Sequence, residues 1–275
     1  MTIHHLWIVS DEGQNIVMVI DYMKNLIRDL HVFADGREVA QSCRMRLTAR
    51  ENLSLLPQLF HLEIENLSAS SSVLLPSARS VEVRSGDSVL ASGSPVSSCS
   101  RRRLGRSFFS LSFSPGMALW QSSVSLSLAA GMSVSDSVRA VLSASGTGIP
   151  LAAFSADDAF LTRPQSFFGR TCDALRMLAD TVHAEAYLSS AGLCLIDHSR
   201  EPAPTLILPE DALLPDPVFL PDRIILSTEP KGWPLGTVVR FTWQGQSYQG
   251  LLVSRLLSMD NVEGPWLSQL EVLPS

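Results

Sequence analysis

The hexapeptide Gly245-Gln246-Ser247-Tyr248-Gln249-Gly250 sets a serine between glycines, as a nucleophile elbow does when it exposes a hydroxyl for acyl transfer. One residue too many separates Ser247 from Gly250. The segment also lies between two strand-like runs rather than at a strand-to-helix junction, so no nucleophile is assigned there. His4, His5, His31, His61, His183 and His198 could each ligate a metal, but none shows the i, i+4 pairing with a glutamate of a zinc-protease helix. A strand would point His4 and His5 to opposite faces. Asp157 and Asp158 could share acid–base work, yet adjacent acids in a loop read as solvated. Neither a phosphate-cradling glycine loop nor a dinucleotide fingerprint is present. No catalytic residue, cofactor-binding residue or metal ligand is therefore assigned, no cofactor is expected, and the chain does not read as an enzyme.

The remaining reactive groups point the same way. Cys43, Cys99, Cys172 and Cys194 are far apart and include no CxxC pair, which predicts reduced, buried thiols in a protein made in the cytosol. Lys24 and Lys231 are the only lysines, so arginine carries almost all the positive charge. Arginine's planar fork suits partly buried contacts and is enriched at interfaces. Arg101, Arg102, Arg103 and Arg106 form one basic cluster, read as a turn or a protein contact. A net charge of −6 argues against a protein that holds nucleic acid by neutralising phosphates.

The whole chain has 45% hydrophobic residues and a mean hydropathy of +0.18, enough to fill a core. Charged residues are only 17%, below the roughly 25% of ordinary soluble domains, so neighbours are expected to cover much of the surface. Asp11 and Glu12 interrupt a short apolar start that no basic leader precedes, and no stretch nears the roughly 20 apolar residues of a membrane span. Neither a secretory leader nor a membrane anchor is expected.

Hydrophobic periodicity supplies the elements. His4–Val9 and Asn15–Ile20 flank a turn at 10–14. Residues 43–47 alternate, and 59–67 alternate more cleanly, with Phe60, Leu62 and Ile64 on one face and His61, Glu63 and Glu65 on the other. Val81-Glu82-Val83-Arg84 runs into a turn, and 107–114 alternates serine against Phe109, Leu111 and Phe113. Such spacing suggests an antiparallel barrel or sandwich. The serine-rich stretch 68–145 reads as folded, with a disordered loop allowed around 93–105 and a core-facing strand end at Val73-Leu74-Leu75-Pro76. Ser133 and Asp136 fit a capping box ahead of a helical stripe at Val134, Val138, Val141 and Leu142 that stops at Gly146. A second helix is predicted over Phe167–Val182, with Ser166 as its cap and Phe168, Cys172, Leu175, Ala179 and Val182 as its apolar stripe. A hairpin, 184–188 with 193–197, follows it. A proline-bearing connector over 201–221 holds one short strand at 205–208. Strands are then expected at 223–227, 237–243, 248–256 and 266–273, with the turn at 244–247 in their midst.

Three stretches stand out: His61–Ser68 with Val81–Gly86, then Ser133–Tyr187 with the hairpin to Ile196, and finally Gly232–Val239 with Tyr248–Ser258 and Gly264-Pro265-Trp266. They resemble the baseplate hub proteins of contractile phage tails, the late control protein family, and the tail-tip hubs of related phages. Their order is more telling than any one of them. The resemblance implies an α+β, mainly β fold: two tube-like antiparallel β-barrels with a small helix–helix–hairpin domain between them. The divisions would fall at 1–127, 128–204 and 205–275. It also implies a homotrimer whose ring adapts a sixfold tail tube to a threefold central spike or fibre and lines the DNA conduit without specific binding. The implied partners are the tail tube protein, distal tail or baseplate proteins, the spike or fibre, and the tape measure protein. The implied location is the virion tail, assembled in the bacterial host cytoplasm. The chain is short for a contractile-tail hub and shows no fused lysozyme-like or spike domain, which leaves the tail type open. The rival readings are a tail-associated cell-wall hydrolase, for which a convergent catalytic set is missing, and a tail-tube or tail-completion protein, which would lack the insert at Ser133–Ile196.

Overall fold

The computed structural model describes residues 7–9, 15–17, 28–189, 192–197 and 205–274. The chain opens with β1 (Trp7–Val9), β2 (Asn15–Val17), β3 (His31–Ala34), β4 (Arg37–Ala40), β5 (Met45–Asn52) and β6 (Phe60–Glu65). Helix α1 (Ala69–Ser77) precedes β7 (Val81–Ser85), β8 (Ser88–Arg103), β9 (Arg106–Ser114) and α2 (Met117–Gln121). The middle holds β10 (Ser123–Leu128), α3 (Val134–Ser145), β11 (Leu151–Ser155), β12 (Gln165–Arg170), α4 (Thr171–Thr181), β13 (Glu185–Ser189) and β14 (Gly192–Ile196). The last part holds β15 (Thr205–Leu208), a 3-10 turn at Glu210–Ala212, β16 (Val218–Phe219), β17 (Ile224–Thr228), β18 (Val238–Trp243), β19 (Gln246–Asp260) and β20 (Trp266–Pro274). The fold is α+β and mainly β. β1 and β2 pair antiparallel with each other, while the expected turn at 10–14 lies outside the described residues.

Alternation decides which way the strands face. On β5, Met45, Leu47 and Ala49 turn inward, and their neighbours across the ladder are Ile64 and Leu62 of β6. Phe60, Leu62 and Ile64 then meet Phe113, Leu111 and Phe109 of β9. Phe60 and Phe113 pack edge to face with ring centres 5.4 Å apart. Burying side chains of this size contributes about 1.5–3 kcal/mol each, so the periodic pattern outweighs the weak strand propensity of the intervening serines.

The two β-rich regions, expected as separate tube-like barrels, are joined into one thirteen-stranded sheet. Its path runs β16-β17-β20-β19-β5-β6-β9-β8-β7-β3-β4, with β18 on β19 and β15 on β18. The joint is β19. Its first half pairs with β18, and its second half pairs with β5 from Ser254↔Asn52 to Asp260↔Arg46. A bulge between Leu252 and Ser254 bends the strand between these tasks. Among the described residues no ladder closes either lobe into a hydrogen-bonded barrel. The first lobe nevertheless rolls up, because β19 and β8 are separated by three strands in the path yet touch through the Arg255 side chain.

Three apolar cores result. One lies inside the first lobe and includes Leu257, Met259 and Trp266 from the end of the chain. A second joins α3 and α4 to the hairpin β13–β14. A third fills the last lobe and takes Tyr187, Cys194 and Ile196 from that same hairpin. All five residues of β14 are buried because Leu193 and Leu195 face one core while Cys194 and Ile196 face another. β11 joins β14 in parallel, so a three-stranded sheet forms the partition. At its rim the Tyr187 hydroxyl donates to the Leu235 carbonyl at 2.9 Å, and Gly236 (φ 76°) leaves the room a Cβ would take from it.

Several local expectations are corrected. The second helix begins at Thr171, and Phe167 and Phe168 lie instead on β12, where a ladder to β10 holds the backbone extended. Ser166 is thus no cap, and its hydroxyl bonds Ser127 at 2.8 Å. Phe168 leaves the apolar stripe and is 94% exposed. The stretch 93–105 is ordered strand and turn rather than disordered loop, since its serines pair with β9. Val73-Leu74-Leu75-Pro76 is helical, capped by Ser68, with Leu75 buried and Val73 and Leu74 exposed.

Candidate functional site

The residues singled out for chemistry are scattered by the fold. Gln244 (φ 49°) and Gly245 (φ 78°) make the tight turn between β18 and β19, and Ser247 faces Thr242 across the ladder. Tyr248 bonds Gln246 at 2.8 Å. His61 Nδ1 lies 3.1 Å from the Ser112 hydroxyl on an exposed sheet face, and His183 (φ 52°) follows the end of α4. His4, His5 and His198 lie outside the described residues. His31 is held between carboxylates, Nδ1 at 2.5 Å from Glu38 and Nε2 at 2.6 Å from Asp29. These hydrogen bonds, to Glu38 first and then to Asp29, raise its pKa above the ordinary imidazole value.

Asp158 is not merely solvated. It accepts the Ser135 N–H at 2.8 Å and the Ser135 hydroxyl at 2.7 Å, satisfying an orphan donor in the first turn of α3. Ser133 caps the same turn by accepting the Asp136 N–H at 3.1 Å, as its spacing predicts, while the Asp136 carboxylate pairs with Arg139. Burial opposes ionisation of Asp158, but the Ser135 hydrogen bonds outweigh it and lower the pKa. The cysteines are free. Cys172 and Cys194 are buried, Cys43 is half-buried, and Cys99 is exposed, contrary to expectation, because β8 runs beyond the part of the sheet that would cover it. Burial pushes the Cys172 thiol up to about 11, so it is inert rather than nucleophilic.

A charged lattice covers the outer face of the first lobe. Asp260 Oδ2 accepts from Arg44 and Arg46, each at 2.9 Å. Arg46 continues to Glu63 at 2.9 Å, and Glu63 also pairs with Arg101. Glu65 meets Arg106 at 3.3 Å and Arg44 at 3.6 Å. Burial disfavours the Asp260 carboxylate, but Arg44, Arg46 and the N–H groups of Val262 and Glu263 hold it well below the usual carboxylate range. Each of Arg44, Arg46, Arg101 and Arg106 in this lattice has a carboxylate partner.

Beyond the lattice projects an arm. β8 pairs with β7 only as far as Gly93, and then with β9 alone to Arg103↔Arg106. Residues 96–103 are all exposed, and one backbone edge of β8 has no ladder partner there among the described residues. The tip is Leu104 (φ 49°) and Gly105 (φ 78°). A two-residue turn with both φ positive favours Asn-Gly, because a left-handed conformation costs other L-residues about 1–2 kcal/mol. Leucine here breaks that preference and is 92% exposed, so it gains nothing within the chain. Arg102 and Arg103 beside it have no ion-pair partner among the described residues.

A pocket of about 550 Å³ opens on the last lobe between β15, β18 and β19. Ile207, Leu208, Phe241 and Tyr248 give it an apolar lining, with Glu210 at its side and Asp211 next in sequence. Ile207 is 73% exposed on the edge strand β15.

No family model and no curated protein matches the sequence. Solved structures do match in fold. A tail protein from Neisseria meningitidis superposes with a TM-score of 0.66 at 16% identity, over 90% of this chain and 96% of that one. A 43 kDa tail protein of prophage MuSo2 from Shewanella oneidensis gives 0.65 at 14% identity, over 89% and 97%. The Escherichia coli c3393 protein gives 0.62 at 10% identity, over 89% and 76%; it is described as a type VI secretion component similar to the bacteriophage T4 tail proteins gp27 and gp5. The chain therefore has the fold of phage tail and secretion-system tail proteins.

Proposed function

We propose that the chain is a structural hub subunit of a phage-type tail, working by shape and assembly rather than catalysis. The observation that carries this reading is the similarity of fold to tail proteins across nine-tenths of the chain and nearly the whole of two of them. In the virion the subunit would form a homotrimer in which each copy lends its two β lobes as tube-like units, making a pseudo-sixfold ring. That ring would meet the sixfold tail tube on one side and a threefold spike or fibre on the other. The division at 1–127, 128–204 and 205–275 would then separate two ring-forming units from the helix–helix–hairpin unit between them. The charged lattice suits a conduit wall, since DNA is gripped by unpaired Lys and Arg, and Arg44, Arg46, Arg101 and Arg106 are paired there with Asp260, Glu63 and Glu65. A tail-tube subunit is disfavoured by the presence of α3, α4 and the hairpin β13–β14.

The test is to purify tails carrying an epitope-tagged copy and to count and locate it by cryo-microscopy. Three copies at the distal end are expected. Six copies per ring along the tube, or none in the particle, would sink the reading.

A further inference from the structure

We infer that two loops, one from each β lobe, interlock the three cores, so that the lobes and the middle unit neither rotate nor unfold separately. The first loop joins β5 to β6 and serves the two cores outside its own lobe. Leu53 packs against the last core, and the buried Leu55 is part of the middle one. The Leu53 N–H donates to the Val253 carbonyl at 3.1 Å, at the bulge of β19. The indole N–H of Trp120, on α2, donates to the Leu55 carbonyl. Buried Gln58 closes the neck of the loop, accepting the Asn52 N–H at 3.1 Å and donating to the Asn52 carbonyl at 2.8 Å.

The second loop joins β17 to β18 and reaches both other units. The Gly232 N–H donates to the Ser88 hydroxyl at 3.1 Å. A Cβ at Gly232 would stand 2.5 Å from the Val89 carbonyl oxygen, so glycine alone fits against β8. The neighbouring Lys231 carbonyl accepts from Arg255, and the Leu235 carbonyl accepts from Tyr187 of the middle hairpin. The ladder of β19 with β5 already joins the two lobes, and the loops add the middle unit to the same body. Opening any one core then uncovers groups that another unit supplied, and its cost is shared. Chains beyond about 150 residues ordinarily unfold in steps. This one should unfold in a single step.

Scanning calorimetry of the purified full-length chain should show one transition, with matching calorimetric and van't Hoff enthalpies. Leu55→Ser with Gly232→Val removes one loop's plug and wedges the other off β8, and should split that transition. Leu175→Ala removes a leucine of the middle core that belongs to neither loop. It should lower the transition without splitting it. Hydrogen exchange of Leu175→Ala gives a second reading: β6 amides in the first lobe should lose protection by the same factor as α4 amides, at least about thirtyfold. Separate transitions in wild type, β6 amides that keep their wild-type protection, or a single transition retained by the double loop variant would each overturn the interlock. The hub reading stands apart from these outcomes, since the copies counted in purified tails decide it.

Discussion

The guanidinium of Arg255, on β19, donates to the backbone carbonyl of Leu90, on β8, at 3.0 Å, although three strands separate the two in the sheet. The same side chain donates to the Lys231 carbonyl at 2.8 Å and pairs with Glu51. Arg255 is 5% exposed, so this one buried fork ties the rolled first lobe to the end of the chain.

Arg255→Ala should therefore cost about 3–5 kcal/mol, because it leaves the Glu51 carboxylate buried beside empty space. Arg255→Met combined with Glu51→Leu should recover much of the loss, since an apolar pair removes both desolvation costs. Urea unfolding of the purified chain checks both. A loss under about 1 kcal/mol for Arg255→Ala would mean that the buried fork does not hold the roll.

Leu175 on α4 is fully buried in the middle core, and Arg176 beside it is exposed. Leu175→Ala should cost about 2–5 kcal/mol and, on the proposed hub reading, impair tail assembly, whereas Arg176→Ala should be mild. Thermal melts alongside particle yield decide this, and an unchanged melt for Leu175→Ala would contradict the packing.

The raised pKa of His31 fixes the sign of a pH effect. Hydrogen bonds to Glu38 and Asp29 favour the imidazolium in the folded chain. Its stabilisation is fully present below the ordinary value of 6.5 and fades as the pH rises through the folded value above it. The groups are partly exposed, so the effect is small. Compared with His31→Gln, wild type should lose stability on alkalisation over that window. Parallel pH dependences in the two proteins would refute the assignment.

Asp158→Ala removes the acceptor of two Ser135 donors at the start of α3 and should cost about 0.5–2 kcal/mol. Its lowered pKa means that the contribution is present above the unfolded carboxylate value and is lost as the pH falls through the folded one. Melting curves in neutral and acidic buffer should converge for wild type and variant as Asp158 protonates. A constant gap would show that charge plays no part.

Much of this architecture was legible in residue order. Alternation identified the inward faces of β6 and β9, and Ser133 with Gly146 marked the bounds of α3, because those signals come from neighbours close in sequence. The start of α4 is not set by local sequence, since Phe167 and Phe168 fit a helical stripe and only the ladder to β10 holds them extended. The cluster at Arg101, Arg102, Arg103 and Arg106 reads locally as a turn or a protein contact, and the ladder of β8 with β9 makes it the end of a projecting hairpin. An Arg-Leu-Gly-Arg turn has a visible signal, an apolar residue where Asn would be ordinary, but it means little until the exposure of Leu104 is known.

By itself, the sequence determined the mainly β character, the capped helix α3, and the low charge content that anticipates covered surfaces, all of them properties of composition and short-range period. Only the tertiary structure decided that one sheet runs through both lobes and that Arg255 points inward. The reason is the bulge between Leu252 and Ser254. Before it, Leu252 faces a core; after it, the inward set becomes Arg255, Leu257 and Met259. In the run Leu251-Leu252-Val253-Ser254-Arg255-Leu256-Leu257 either register buries leucine, so local sequence cannot choose. The partners of β19, distant in sequence on β5 and β8, make the choice.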